Sequence, residues 1–262
     1  MDINVFESSD FAPSTGSAPF AQILNPKLGG AVGFSVTEKN AIAAGLSLPS
    51  TWEKTIHEFG SGDEEAVYVT KNPRLLILGG SALIMRDRKT RKPISKFNFN
   101  TYNKIEHSLY RRVWCYILND QNNFCHAEPL AIAIGGASGA SFMSTWLKTK
   151  PRSGFIDRME ALYSAAIGKP KAAKGELFHA HCVYEPLMEI QKRGEGQVVS
   201  KVTVTTGFKE PSIQNNLIIG EEKQEILKIA FTQVKFLASE FESRVLQQQI
   251  PDTPGIDEEQ PW

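Results

Sequence analysis

Between Arg86 and Arg112 the chain carries nine lysines and arginines against only Asp87 and Glu106, with Phe97, Phe99, Tyr102 and Tyr110 set among them. Two chemistries meet in such a stretch. Cationic side chains follow phosphates, and flat rings stack on unpaired bases, at about 1–3 kcal/mol per base. Arginine suits this work because its planar guanidinium both forks onto a phosphate and stacks. The expected phosphate contacts are Arg86, Arg88, Lys89, Arg91, Lys92, Lys96, Arg111 and Arg112, and the expected stacking rings are Phe97, Phe99, Tyr102 and Trp114. The competing picture is a strand in which Phe97 and Phe99 alternate inward while the lysines only solvate its outer face. For the segment as a whole, binding is favoured.

A formal net charge of zero hides the distribution that supports this. Residues 1–70 hold 3 Lys+Arg against 9 Asp+Glu, residues 71–174 hold 18 against 6, and residues 175–262 hold 8 against 14. A strongly basic middle between two acidic ends attracts a polyanion.

Two other groups offer different chemistry. If FHAHC is a strand, His179 and His181 share a face, and Cys125 and His126 with Glu128 would complete a zinc site wherever the fold brought the segments together. That is the alternative of a zinc-dependent enzyme. Short mixed clusters of this kind are more often satisfied by hydrogen bonds, so no catalytic residue, metal or other cofactor is expected. GGASGASF, from Gly135 to Phe142, follows a strand and opens a helix, where phosphate-cradling loops sit. It lacks the lysine of a P-loop, the Gly-x-Gly-x-x-Gly spacing and the last glycine of a nucleophile elbow. A tight turn that lets backbones pack closely is the better account.

The elements that must position these residues are mostly short strands. FAQILN, AVGFSV, TWEKTIHEF, EAVYVT, RLLILG and SALIMRD follow one another at roughly ten-residue spacing, with turn chemistry between them. Lys89 to Pro93 reads as an exposed hairpin tip, LYRRVWCYILN as the clearest strand, and PLAIAIGG as its return. Helical spacing appears in SGASFMSTWLKT and GFIDRMEALYSAAIG, after which ELFHAHCVYEPL and QVVSKVTVTTGF are extended again. Leu227, Ala230, Val234, Leu237 and Phe241 fall at alternating steps of three and four, which predicts one long amphipathic helix. It would pack on its own barrel or form a seam with a second copy.

The predicted fold is therefore α+β and β-rich: an OB-like barrel with inserted helices, then a long C-terminal amphipathic helix and a disordered acidic tail. The expected layout is a disordered N-terminus over 1–18 and a nucleic-acid-binding domain over 19–220 with its helical insertion at about 137–167. The helix follows over 221–249 and the tail over 250–262. The beginning of the chain, MDINVFESSDF, has acids where a signal peptide needs lysines, and no run approaches eighteen apolar residues. Three cysteines are too few and too odd for a disulfide framework. A cytoplasmic protein that keeps off membranes is expected.

The last seven residues, IDEEQPW, set acids before a proline and a terminal tryptophan. Composition alone would close a chain on proline and an aromatic about once in 200 times. Asp257, Glu258, Glu259, Pro261 and Trp262 resemble the tip of bacterial single-stranded-DNA-binding proteins and certain phage counterparts. The resemblance implies that this tip docks on replication and repair proteins through its terminal aromatic and carboxylate, and competes with DNA for the protein's own basic groove. The order of barrel, helix and acidic tail also looks like the phage type. RRVWCYILND, EPLAIAIGGASGASF and FHAHCVYEP resemble an uncharacterised family of cyanobacterial proteins, a likeness that implies no activity. The resulting expectation is a non-enzymatic protein that binds single-stranded DNA, or RNA, and recruits partners by its tip. A scaffold subunit of a nucleoprotein or phage assembly, oligomerising through residues 221–249, is the other alternative.

Overall fold

The computed structural model describes residues 19–25, 31–59, 62–147, 153–193 and 200–247. The expected disordered segment 1–18 and acidic tail 250–262 lie outside the described residues. The chain begins with strands β1 (Phe20–Leu24) and β2 (Gly33–Thr37), helix α1 (Glu38–Ala43), and strands β3 (Glu53–Glu58) and β4 (Glu64–Thr70). Next come β5 (Leu75–Gly80), β6 (Ile84–Asp87), β7 (Pro93–Lys96), the long β8 (His107–Ile117) and β9 (Leu130–Gly135). Helices α2 (Gly136–Trp146), α3 (Phe155–Ala166) and the short α4 (Glu176–His179) lead into β10 (Val183–Tyr184). The chain continues with β11 (Pro186–Arg193), β12 (Ser200–Phe208), the short α5 (Ile213–Asn216) and the long α6 (Glu221–Leu246).

The architecture is mixed α+β and strand-rich, and the sheet does not close. Ten strands form one sheet whose main path is β10-β5-β8-β9-β1-β2-β4-β3, while β11 and β12 make a separate hairpin. All its pairings are antiparallel except that of β1 with β9. The expected OB-like barrel is therefore corrected to an open sheet. A barrel would pair the two ends of this path, whereas β10 and β3 meet different neighbours.

The physical reason lies in the middle strands, which are apolar on both faces. In β8, Val113, Cys115 and Ile117 point into one core while Trp114 and Tyr116 point into the other. β5 splits likewise into Leu75 and Ile77 against Leu76 and Leu78. Strands of this kind need cover on each side. Phe142 and Trp146 of α2 with Phe155, Ile156 and Met159 of α3 cover the first face. Leu227, Ala230, Val234, Ala238, Phe241 and Val245 of α6 cover the second. The long helix thus lies on its own sheet, with Leu237 only partly buried at the margin and Ala238 in the place expected for it. Among the described residues, no helix is long and apolar enough to cross a membrane.

Two devices fix the part of the sheet that matters below. β5 and β6 run in turn along the same edge of β8, Leu75 opposite Ile117 and Asp87 opposite His107, while β9 occupies its other edge. The chain then turns from β9 into α2 with no intervening loop, through Gly136 at a φ of 58°. That positive φ suits glycine, and so does the contact that follows: a Cβ on Gly139 would stand 2.3 Å from Ile134 Cγ2.

Phe241 joins the second core to the basic part of the chain. Its ring lies edge-on to both Trp114 and Tyr110, with centroids 6.4 Å away in each case, and the Arg112 guanidinium sits 4.4 Å above it. Phe241→Ala should cost about 3–5 kcal/mol of stability, measured by urea denaturation followed through tryptophan fluorescence. A loss under about 1 kcal/mol would contradict the role assigned to α6.

Candidate nucleic-acid interface

The site grows out of the outer half of β8 and the β6–β7 hairpin beside it. β6 pairs with β8 so that Arg86 faces Ser108 across the ladder. Arg86 Nε donates to Ser108 Oγ at 3.0 Å, and its guanidinium lies 4.8 Å from the centre of the Tyr110 ring, leaving the residue only 7 % exposed. Asp87 then shapes the tip. Its Oδ1 accepts from the backbone N–H of Lys89 and of Thr90, and from the Thr90 hydroxyl. These bonds hold the Asp87 carboxyl below the usual carboxylate range. Asp87 is therefore spent on the turn that presents Arg88, Lys89, Arg91 and Lys92.

Arg91 has a φ of 60°, a conformation that favours glycine and costs other residues about 1 kcal/mol or more. An arginine is kept at a corner where the backbone would accept glycine more readily.

From β7 the chain enters the loop 97–106, which is shaped by its asparagines. Asn98 accepts from Asn100 N through its side chain and from Thr101 N and Tyr102 N through its carbonyl. Asn103 accepts from Ile105 N through Oδ1, and its own N–H donates to His107 Nδ1 at 3.1 Å. The loop is tied back to the hairpin by Arg88, whose Nε donates to the Lys104 carbonyl at 3.0 Å. Phe97 packs edge-on to Tyr102 at 5.5 Å, while Phe99 stands 82 % exposed beyond them. The half-buried strand considered for Phe97 and Phe99 is thus absent: β7 stops at Lys96, and both rings lie in the loop.

Hairpin, loop and strand ends together enclose a cleft of about 400 Å³. Arg86, Arg88, Arg91, Lys104 and Tyr102 line one side of it, and the β9–α2 junction from Ala133 to Ala140 lines the other. Among the described residues, no carboxylate side chain lines it. Asn25 anchors the far wall: its Oδ1 accepts from Ser138 Oγ on α2 and from Thr203 N on β12, each at 2.9 Å.

Phe97 and Phe99 stand on the loop outside the cleft lining, and the other expected contacts separate into three groups. Arg86, Arg88, Arg91 and Tyr102 converge on the cleft, and Lys89 and Lys92 stand exposed on the hairpin above it. Lys96, Arg111, Arg112 and Trp114 are taken by the body of the protein. Lys96 Nζ pairs with Glu242 Oε2 at 2.5 Å, and Arg111 donates to the Ser81 carbonyl at 2.6 Å. Burial opposes the charge of Glu242, yet Lys96, the Ala82 N–H and nearby Arg111 together hold its carboxyl below the usual range. Trp114, 3 % exposed, is a core residue and offers no ring to a base. The partner-binding positions Asp257, Glu258, Glu259, Pro261 and Trp262 lie outside the described residues.

Sequence reasoning passed over Lys104, and it read the Gly135–Phe142 segment as a tight turn with no part in the site. The turn was visible as a glycine-rich segment between strand and helix, but only the β8–β9 register shows that it faces the arginines.

The histidine and cysteine groups do not make a metal site. FHAHC is not a strand: His179 ends α4, where Nε2 lies 2.9 Å from Glu160 Oε1, and His181 Nδ1 lies 2.7 Å from the Leu177 carbonyl. His126 Nε2 accepts from Ile117 N at 2.8 Å, and its Nδ1 sits 2.6 Å from the Glu128 carbonyl. Both of its ring nitrogens are thus engaged with backbone. Cys125 is buried, with its thiol pushed up to about 11 by loss of water. Among the described residues, no three His, Cys, Asp or Glu side chains are grouped to hold a metal ion.

The fold and site together define an open sheet covered by helices on both faces, with a cationic cleft where strands and a glycine-led helix meet. Residues 16–248 match the family described as "Domain of unknown function (DUF5895)", and the chain belongs to that family. No curated protein and no solved structure matches it.

Burial lowers the His126 pKa from 6.5 to about 4. Below pH 6.5 the unfolded chain takes up a proton that the folded protein refuses until about pH 4. Stability is therefore lost as pH falls across that window, by about 3 kcal/mol. Urea midpoints of the wild type and His126→Gln should draw together as pH is lowered from 7 to 4. Parallel curves would show that His126 does not carry this linkage.

Proposed function

We propose that the protein is a non-enzymatic single-stranded nucleic-acid-binding protein. The supporting observation is the gathering of Arg86, Arg88, Arg91 and Lys104 in one cleft, with no carboxylate side chain among its described lining residues. Tyr102 is in the cleft wall and Phe99 is exposed on the adjoining loop. Cations meet the phosphates and the rings meet the bases, a combination suited to strands whose bases are unpaired. Duplex DNA would bring the charge but hide the faces of its bases. In this reading the segment 250–262 recruits a replication or repair protein and competes for the same cations, because a tethered acidic tail has a high effective concentration.

Fluorescence anisotropy of labelled oligo-dT, titrated at several salt concentrations, tests the reading. Binding should weaken steeply with salt, and affinity that is absent or indifferent to salt would remove the proposal. Each cation that neutralises a phosphate contributes about 0.7 to the log–log salt slope for a single strand. Arg88→Ala and Lys104→Ala should each lower the slope by about that much, while Arg111→Ala, whose side chain is held by Ser81, should leave it unchanged. Phe99→Ala should cost about 1–3 kcal/mol of binding at every salt concentration. Deleting residues 252–262 should tighten binding, and an unchanged affinity would dismiss the tail as competitor.

A further inference from the structure

We infer that the cleft receives a terminal phosphate, the phosphomonoester at one end of a nucleic-acid strand, in preference to an internal phosphodiester. The inference rests on the nucleic-acid reading above and deepens it. Charge is the first reason. An internal phosphodiester carries a single negative charge, whereas a phosphomonoester carries about −1.5 to −2 at neutral pH and presents three acceptor oxygens. Arg88 and Lys104 line the cleft beside Arg86 and Arg91, with no carboxylate side chain among its described lining residues, a setting that suits the more highly charged group. Lys89 and Lys92, exposed on the hairpin outside the cleft lining, remain for the phosphates that follow.

The second reason is the opposite wall. α2 is eleven residues long and starts at the cleft, its N-cap is Gly135, which has no side chain with which to cap it, and no acidic residue stands in its first turn. The partial positive charge of a helix start therefore adds to the arginines instead of being offset by the chain's own carboxylates. The close contact of Gly139 with Ile134 seats this helix directly on the end of β9, so the wall is fixed in place.

Shape is the third reason. A cleft of about 400 Å³ lies in the range of small-ligand sites and accommodates about one nucleotide, whereas a run of backbone needs an extended groove. Arg86 is preset by Ser108 and Tyr110, so little ordering remains to be done when the anion arrives. Tyr102 is placed to meet the attached base.

The test uses the full chain and three labelled oligo-dT strands of one length, ending in a 5′-phosphate, in a 3′-phosphate, or in hydroxyls at both ends. One phosphorylated strand should bind about tenfold more tightly than the hydroxyl-ended strand, in keeping with the strength of charge-assisted hydrogen bonds. Thymidine monophosphate should displace it more effectively than thymidine. Arg88→Ala should shrink the difference between strands, and Ala140→Glu, which adds a carboxylate at an exposed position of the cleft wall, should abolish it. Lys89→Ala should weaken all three strands alike. Salt-dependent binding with the three affinities within about twofold of one another would overturn the terminal-phosphate inference and leave the single-strand reading standing. Failure of all three to bind would overturn the single-strand reading itself.

Discussion

β8 is apolar on both faces over one half of its length and mixed in character over the other, which carries Arg111 and Arg112 next to the apolar half. From Val113 to Ile117 it is buried between α2 and α3 on one side and α6 on the other, and it is paired with β5 along one edge and, as far as Cys115, with β9 along the other. Each large side chain sealed there contributes about 1.5–3 kcal/mol. The outer half, His107 to Arg112, continues the same backbone, and so inherits a rigid position that a solvated basic segment would not have alone. β6 and the end of β9 are held at that outer half by the same ladder. The cleft is in this sense an extension of the core's hydrogen bonding beyond its apolar region.

The cations of this region are divided between two tasks. Glu242 on α6 stands at the division, drawing Lys96 and the neighbourhood of Arg111 toward the helix. Arg112 spreads over Phe241, where its plane supplies packing as well as charge. Those residues attach the long helix to the basic edge of the sheet. Arg86, Arg88, Arg91 and Lys104 line the cleft, and Asp87, the nearest acid in sequence, is engaged in shaping the hairpin. Positive charge is thus concentrated without the molecule as a whole being basic.

Much of the local structure was legible in the residues themselves. The period of LYRRVWCYILN marked its strand, the three-and-four spacing from Leu227 to Phe241 marked α6, and the Lys89–Pro93 tip stands where the composition put it. The closed barrel was misjudged because evenly spaced short strands suit a barrel and an open sheet equally. The distinguishing sign was present: LLIL and VWCYIL are apolar at consecutive positions, which requires cover on two faces. FHAHC was read as extended because its alternation fits a strand, but α4 supplies one turn and sends the two histidines to separate partners.

By itself, the sequence determined which side chains carry charge, which rings lie near them along the chain, and which segments have the period of a strand or helix. These are properties of composition and of spacing over a few residues, and no distant contact can alter them. Only the tertiary structure decided which cations share a space. Arg86 and Arg111 look equivalent along the chain, yet one lines the cleft and the other donates to Ser81, because strand register and the seat of α6 assign each to its side. The turn from Gly135 to Ala140 lies far from the arginines in sequence and meets them through the pairing of β8 with β9. Convergence of this sort depends on long-range pairing, and long-range pairing is set by how the whole chain buries its apolar surface.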